Sequence, residues 1–280
     1  MRIETALTQA QNTLINKNIK SASIDCEILM SKALDKDRKY IILNPKKKLE
    51  NYELTYFDSL IKERSYGKPI AYLTEKKYFW NSEFLIKKDV LIPRPDTEII
   101  IEQVLKLNKN RFKQRVLDIG VGSGCILLSL LKEKKDFYGT GIDKSAKCIS
   151  LSQINAQRLG LTNRVKFFKS DVDNFLNGKY DLIISNPPYI NKYDLKYLDK
   201  GIAGFEPKLA LNGGLDGLSE IRKVIRKSSE LVKKKGKFIL EIGFDQKNKI
   251  KSLLINNGFY INKVVKDLAK NDRCIVCTKI

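Results

Sequence analysis

The side chains best suited to chemistry stand in one short run, Asn186-Pro187-Pro188-Tyr189, directly after the apolar segment Tyr180-Asp181-Leu182-Ile183-Ile184-Ser185. A buried strand that stops at two consecutive prolines presents a rigid, donor-poor backbone at a sheet edge. Asn186 adds a side-chain carbonyl and an amide beside backbone carbonyls, and Tyr189 adds an aromatic face. Such a corner suits a planar –NH2 group. The Asn186 side-chain oxygen and the Pro187 carbonyl accept its two hydrogens, and the Tyr189 ring confines its plane. A Pro-Pro pair alone more commonly ends a strand in a turn, so the rest of the chain decides.

Upstream, Val116-Leu117-Asp118-Ile119-Gly120-Val121-Gly122-Ser123-Gly124 precedes the helix-like Cys125-Ile126-Leu127-Leu128-Ser129-Leu130-Leu131. This order reads as a buried strand, a glycine turn and a helix N-terminus. Glycines let a backbone approach a ligand closely, and free N–H groups of a first helical turn favour polar or anionic ligand groups. Gly120, Val121, Gly122, Ser123 and Gly124 are therefore candidate cofactor contacts. A dinucleotide fingerprint requires G-x-G-x-x-G, whereas here the glycines fall as G-x-G-x-G and Cys125 occupies the third fingerprint position. NAD is disfavoured.

The next strands add acidic ends. Phe137 to Ile142 reads as a strand closed by Asp143, placed to accept from ribose hydroxyls. After a helix over Ala146 to Leu159, a strand from Arg164 to Lys169 ends at Ser170-Asp171-Val172. Asp171 can accept from an exocyclic amine, and Val172 can pack on a purine face. Each Asp taken singly is more readily a helix cap, since Asp caps helices and opens turns. Successive strands that all end in a ligand candidate share one carboxyl edge of a doubly wound sheet, where ligands bind.

These residues resemble a class I S-adenosylmethionine methyltransferase of the amino-methylating group. More narrowly, the chain resembles the peptide chain release factor glutamine methyltransferases, the PrmC/HemK family. The resemblance extends over nearly the whole chain. It includes Gly67-Lys68-Pro69-Ile70-Ala71-Tyr72-Leu73 and Leu91-Ile92-Pro93-Arg94-Pro95-Asp96-Thr97-Glu98, a highly specific stretch. Phe205-Glu206-Pro207, Gly214 to Leu218, Leu240-Glu241-Ile242-Gly243, Lys266-Asp267-Leu268 and Asn271-Asp272-Arg273 follow it too. It implies a Rossmann-like α/β fold with a seven-stranded sheet, a small N-terminal helical domain and a joining β-hairpin. The implied cofactor is S-adenosyl-L-methionine, released as S-adenosyl-L-homocysteine, and the implied acceptor is the glutamine of the Gly-Gly-Gln motif in class I release factors. Asn186, Pro187 and Tyr189 are then catalytic, Pro188 joins them in holding substrate, and Asn186 also belongs to the cofactor set. Val172 departs from relatives that carry an aromatic there, which leaves packing on adenine but weakens stacking.

Composition narrows the chemistry further. The 280 residues, 42% of them hydrophobic, suffice for a full core in one large or two smaller domains. No run is long enough to span a bilayer, and Met1 to Lys20 lacks a signal-peptide core. The odd, scattered set Cys26, Cys125, Cys148, Cys274 and Cys277 fits reduced thiols in a cytoplasm. Cys274-Ile275-Val276-Cys277 reads as a terminal strand rather than a metal half-site, and no metal is expected. The chain has no histidine, which excludes Ser-His-Asp hydrolysis and imidazole general-base chemistry. The net charge of +21 is mostly lysine spread along the chain, as an AT-rich genome would produce, so stable nucleic-acid binding is not expected. Lysine clusters such as Lys46-Lys47-Lys48 and Lys233-Lys234-Lys235 are expected in solvated turns.

Three segments follow: a helical domain over 1–72, which by itself reads as a packing cap for the sheet domain and which the resemblance implies is a substrate-docking domain, a hairpin linker over 73–92 and a methyltransferase domain over 93–280. In the first, Ile3, Ala6, Leu7, Ala10 and Leu14 keep helical spacing, as do Cys26, Leu29, Met30, Ala33 and Leu34, then Tyr56, Phe57, Leu60, Ile61 and Arg64. Asp96 or Thr97 is placed to cap the helix through Ile99 to Leu105, and Arg94 either reaches the cofactor carboxylate or pairs with an acid. Strands through Val116, Phe137, Val165, Leu182 and Phe238 alternate with helices and specify a parallel sheet. A terminal antiparallel hairpin, Phe259 to Lys263 with Cys274 to Lys279, completes it. A monomer is expected. Rival readings are a DNA adenine-N6 methyltransferase, a glutamine methyltransferase of a ribosomal protein, and a basic nucleic-acid-binding protein with a vestigial nucleoside pocket. The first would need a DNA-reading module, and no recognition helix is evident outside the catalytic segment.

Overall fold

The computed structural model describes residues 1–107 and 113–280, which cluster into two compact units. One comprises Met1–Lys76 with Asp199–Phe205, the other Lys77–Leu198 with Glu206–Ile280.

The first unit is helical: α1 (Ile3–Ile15), α2 (Ala22–Leu34), α3 (Arg38–Leu43), α4 (Asn51–Ser65) and α5 (Ile70–Thr74). Its core gathers Ile3, Ala6, Ala10 and Leu14 of α1, Cys26, Leu29, Met30 and Leu34 of α2, and Phe57, Leu60 and Ile61 of α4. These are the positions that one face of a 3.6-residue period exposes to a neighbour. Two residues of the expected α4 stripe behave differently. Tyr56 faces solvent, and Arg64 is spent on an ion pair with buried Asp25 at 2.8 Å.

The second unit begins with a hairpin, β1 (Lys76–Phe79) and β2 (Ser82–Leu85), followed by α6 (Glu98–Leu107). Asn155 ties β2 to the sheet domain by accepting from the Leu85 N–H at 2.8 Å and donating to its carbonyl at 3.0 Å. The chain then alternates through β3 (Arg115–Ile119), α7 (Cys125–Glu133), β4 (Tyr138–Asp143), α8 (Ala146–Arg158), β5 (Val165–Lys169) and β6 (Tyr180–Ser185). Short α9 (Lys200–Ala203, part of the first unit) and α10 (Lys208–Leu211) precede α11 (Ser219–Leu231), β7 (Val232–Glu241), α12 (Lys247–Asn256), β8 (Phe259–Lys266) and β9 (Asp272–Lys279).

Among the described residues the large sheet has seven strands in the order β5-β4-β3-β6-β7-β9-β8. The pairs from β5 through β7 are parallel, and β9 is antiparallel to both β7 and β8. The α/β architecture expected from alternation is therefore present, with the terminal hairpin inserted so that β9, not β8, meets β7. The reason lies in burial. Cys274, Ile275, Val276 and Cys277 are all buried, whereas β8 carries exposed Tyr260, Asn262 and Lys263 and suits an edge. Phe137 lies just before β4, buried but outside the ladder. Lys233 to Lys235 do not form a turn before the strand but the bulged entry of β7. There the register against β6 shifts between Tyr180↔Val232 and Leu182↔Lys237, and Lys235 takes a φ of 61°.

Strand order reverses beside β3. The chain runs outward through β4 and β5, then returns to the other side of β3 as β6. That reversal opens a crevice at the carboxyl ends of β3 and β6, the place where such sheets bind ligands.

Candidate active site

The glycine turn after β3 is built by backbone geometry that only glycine adopts without strain. Gly120, Gly122 and Gly124 have φ of 80°, 56° and 82°. The N–H groups of Gly120 and Val121 both donate to the Ile142 carbonyl, at 2.9 and 3.0 Å, which pins the turn to β4. A Cβ added to Gly120 would meet no atom within 4 Å, because that position faces an open cleft. At Gly141, by contrast, it would come within 2.8 Å of Val121 and 2.7 Å of Phe167, so β4 packs tightly beneath the turn.

Asp143 closes β4 and holds this loop from the other side. Its Oδ2 accepts from the Gly122 N–H at 3.0 Å and its Oδ1 from the Ser145 N–H at 2.8 Å. Each oxygen keeps a further lone pair for a ligand hydroxyl. Burial raises the Asp143 pKa, and the two backbone donors work against that rise. Asp171 opens the turn after β5 by accepting from the Asp173 N–H at 3.2 Å. The capping role and a ligand role are thus not exclusive.

The open cleft spans about 910 Å³, the open solvent at its mouth included. Gly120, Gly122, Asp143, Asp171, Val172, Asn186, Pro187 and Pro188 all line it, together with Ile142 and Ser170. Val121, Ser123 and Gly124 lie behind the turn, buried. Tyr189 also stands back from the cleft. Its ring packs against the core, and its hydroxyl donates a long 3.4 Å hydrogen bond to Glu241 at the end of β7. Burial, then the Glu241 charge, pushes the Tyr189 phenol up to about 12.

Asn186 is oriented by a residue placed elsewhere by its sequence reading. Its Nδ2 donates to the Thr97 hydroxyl at 3.1 Å, so Thr97 holds an active-site side chain instead of capping α6. Arg94 pairs with buried Glu206 at 2.5 Å, and Glu206 also accepts from the Ile92 N–H at 3.3 Å. Of the two destinations open to Arg94, the acid is the occupied one. Gln246 clamps the corner from below, donating to the carbonyls of Tyr189 at 2.9 Å and Gly217 at 3.2 Å.

Sequence reasoning passed over Asp118, which sits inside the apolar β3 with zero exposure. Neither carboxylate oxygen has a hydrogen-bond partner among the described residues. Burial, then the charge of Asp143, pushes its pKa up to about 8. The folded chain therefore keeps a proton on Asp118 that the unfolded chain loses near pH 4. Stability from this group is complete below that point and is lost as pH rises from about 4 through about 8. Asp118→Asn should flatten this loss, gaining several kcal/mol on wild type between pH 4.5 and 7.5 in urea titrations. Equal pH slopes for both proteins would refute the assignment.

The cleft fits a nucleoside-bearing methyl donor on its own geometry: a side-chain-free wall at Gly120, a carboxylate at Asp143 for hydroxyls, and Asp171 with Val172 for an amine-bearing flat base. Comparisons with known proteins agree. Residues 96–216 match the family model "Methyltransferase small domain", and residues 5–74 match "PrmC N-terminal domain". The release factor glutamine methyltransferase of Clostridium acetobutylicum is 38% identical over 100% of this chain and 99% of its own length. That of Buchnera aphidicola subsp. Baizongia pistaciae is 37% identical over the full length of both. A methyltransferase structure from Pyrococcus furiosus, 20% identical, superposes with a TM-score of 0.53 over 79% of this chain and 97% of its own, which speaks for the fold. With matches of this identity from end to end, the chain belongs to the release factor glutamine methyltransferase family, whose methyl donor is S-adenosyl-L-methionine.

Proposed function

We propose that this chain methylates the side-chain amide nitrogen (N5) of the glutamine in the Gly-Gly-Gln loop of class I peptide chain release factors. The observation that carries the reading is the Asn186 amide. Its nitrogen is committed to Thr97 at 3.1 Å, so its oxygen is left as an acceptor at the wall of a cleft fitted to the methyl donor.

An amide nitrogen is a poor nucleophile, because its lone pair is delocalised into the carbonyl. S-adenosyl-L-methionine supplies a methyl carbon already activated by its sulfonium. The protein's share is alignment, which can remove roughly 7 to 11 kcal/mol of barrier. Asn186 Oδ1 and the Pro187 carbonyl accept the two amide hydrogens, aim the nitrogen and stabilise positive charge as it develops there. Pro188 keeps the corner rigid. Tyr189, set back from the cleft with its hydroxyl on Glu241, backs the corner from the core side. Gly120, Gly122, Asp143, Asp171 and Val172 hold the donor, with Val121, Ser123 and Gly124 shaping the turn behind them. No base is needed before transfer, since the proton leaves a far more acidic nitrogen afterwards. A chain without histidine is suited to such a reaction.

The same reading assigns the helical segment over 1–72 to release factor docking, the hairpin over 73–92 to the link, and 93–280 to catalysis. It places a monomer in the cytoplasm, without stable nucleic-acid binding. Among the described residues no helix is long and apolar enough to cross a membrane.

The test offers methyl-labelled S-adenosyl-L-methionine with a class I release factor, with ribosomal proteins and with DNA, in separate reactions. Label on the Gly-Gly-Gln glutamine is expected, located by mass spectrometry. Label on a ribosomal protein or on adenine instead overturns the substrate assignment.

A further inference from the structure

The turn that joins β8 to β9, Asp267-Leu268-Ala269-Lys270-Asn271, belongs to the stretch that follows the family pattern, yet no step of the methyl transfer uses it. Its construction is rigid. The Asp267 N–H donates to the Asn271 carbonyl at 2.9 Å, and the Asn271 N–H donates back to Asp267 Oδ1 at 2.9 Å. The Lys270 N–H donates to the Asp267 carbonyl at 3.0 Å. Arg273 then grips Asp267 Oδ2 through Nε at 3.1 Å and Nη2 at 3.0 Å. Within this braced turn stands a fully exposed leucine, Leu268.

A second exposed apolar side chain is tied to the same arginine. Arg273 Nη1 donates to the Ile242 carbonyl at 3.4 Å, and the Ile242 N–H donates to the Arg273 carbonyl at 2.9 Å. Ile242 opens the loop after β7, whose Phe244 is 67% exposed. Gln246 pins the far side of that loop. Its Oε1 accepts from the Gly243 N–H at 3.0 Å while its Nε2 donates to the Tyr189 carbonyl at 2.9 Å. Phe244 is therefore carried by a loop hydrogen-bonded directly to the Asn186-Pro187-Pro188-Tyr189 corner. An exposed apolar side chain taken singly needs no explanation. Phe244 and Leu268 differ in standing together on the sheet edge that carries the corner, since β7 ends there and β9, antiparallel to it, begins there.

We propose that Phe244 and Leu268 form a docking surface for the protein that carries the acceptor glutamine, gripping the segments beside its Gly-Gly-Gln loop. The inference rests on the assignment of that glutamine as acceptor, and it is separate from the role assigned to the helical segment.

The occupant follows from reach. Four bonds separate a glutamine Cα from its amide nitrogen, a span of roughly 5 Å. Once that nitrogen meets Asn186, the acceptor's main chain lies at the mouth of the cleft, and a folded protein so placed covers the loops around the corner. A surface covered at every turnover gains from apolar groups that leave water on docking. Loops already held by hydrogen bonds lose little freedom in the process. Lys266, Lys270 and Asp272 flank Leu268 in the chain and give the apolar pair the polar rim of a transient interface.

The experiment measures methylation of a class I release factor by the full chain and by Phe244→Ala, Leu268→Ala, Leu268→Asp and a control, Ile255→Ala. The release factor is varied at saturating S-adenosyl-L-methionine. Ile255 is 59% exposed near the end of α12, at the opposite edge of the sheet, where β8 begins. Phe244→Ala and Leu268→Ala should each raise KM for the release factor by about fivefold to tenfold, and Leu268→Asp by about 30-fold. With kcat unchanged, this is the signature of binding lost equally from ground and transition state. Calorimetry should give an unchanged Kd for S-adenosyl-L-methionine, and every variant should sediment as wild type does. Ile255→Ala should match wild type throughout.

Wild-type KM in both Phe244→Ala and Leu268→Asp overturns the docking surface. So does an equal rise in Ile255→Ala, or cofactor affinity falling in step with the rise in KM. A wild type that sediments as a dimer, with Leu268→Asp a monomer of wild-type KM, would give the surface to a second copy of this chain instead. These failures leave the substrate reading standing, because the wild type still labels the release factor. A release factor left unlabelled by wild type defeats that reading, and the docking surface with it.

Discussion

Asn186→Ala should lower kcat for release factor methylation by about 10³-fold while cofactor affinity stays within about threefold of wild type. The size follows from two losses that act together. Removing one preorganised hydrogen-bond partner from a site of developing charge costs about 10² to 10³ in kcat. The second is positional: without Oδ1 the amide hydrogens have only the Pro187 carbonyl, and the nitrogen is no longer constrained in two directions. Cofactor affinity should survive, because Gly120, Asp143 and Asp171, the groups proposed to hold the nucleoside, stand at the ends of other strands. The fold should survive as well. Asn186 is only half-buried, its backbone is fixed by prolines, and Gln246 grips the corner at Tyr189 rather than at Asn186. Single-turnover rates with saturating cofactor give the kcat arm, and calorimetry gives the affinity arm. Parallel loss in both would mean that Asn186 works through the cofactor pocket or the fold.

Much of the site was legible because one local rule governs it. A strand of such a sheet is mostly an apolar or β-branched run, and it ends where a glycine, acid or proline opens a loop, although β4 also carries Gly139 and Gly141 and β3 carries Asp118 within the strand. Gly120, Asp143, Asp171 and Asn186 each stand at such an end. Doubly wound topology brings all those ends to one edge without any knowledge of side-chain contacts. The cleft lined by all four is the consequence.

What was not legible depends on contacts between distant segments. Thr97 sits in a Pro-Asp-Thr-Glu stretch with every local mark of a helix start, and a cap was the natural expectation. Its actual partner is 89 positions away, and no periodicity announces that pairing. Glu241 ends a strand as the other site acids do, but its side chain turns to Tyr189 instead of lining the cleft. Asp118 was hidden for the opposite reason. It lies within the apolar run itself, where a lone acid looks like noise in the pattern although it carries a strongly perturbed proton. Tyr56 and Arg64 show the same limit in the helical unit. Both keep the spacing of the stripe, yet one faces solvent and the other is taken by Asp25. The order of β8 and β9 follows from burial summed over whole strands, which a residue-by-residue pattern does not weigh.

Asp143→Ala should act in the converse sense to Asn186→Ala, weakening S-adenosyl-L-methionine binding first. Hydrogen bonds from a ligand to a charged acceptor contribute about 1.5 to 3 kcal/mol each. Losing the paired acceptance from two ribose hydroxyls should therefore raise Kd by about 100-fold or more, each tenfold being about 1.4 kcal/mol. A second effect runs in the same direction. The carboxylate also holds the N–H groups of Gly122 and Ser145, at 3.0 and 2.8 Å, so its removal frees the glycine turn as well as the ligand hydroxyls. The two contributions separate by comparing ligands. Adenosine and 2′,3′-dideoxyadenosine differ only in the ribose hydroxyls, so in wild type the first should bind more tightly, and in Asp143→Ala that preference should shrink to about onefold while loosening of the turn weakens both alike. Once saturated with cofactor, the variant should still methylate, because Asn186, Thr97 and the prolines are untouched. An unchanged Kd in titration calorimetry, or a hydroxyl preference that persists in the variant, would show that the ribose lies elsewhere in the cleft and that Asp143 serves the turn alone.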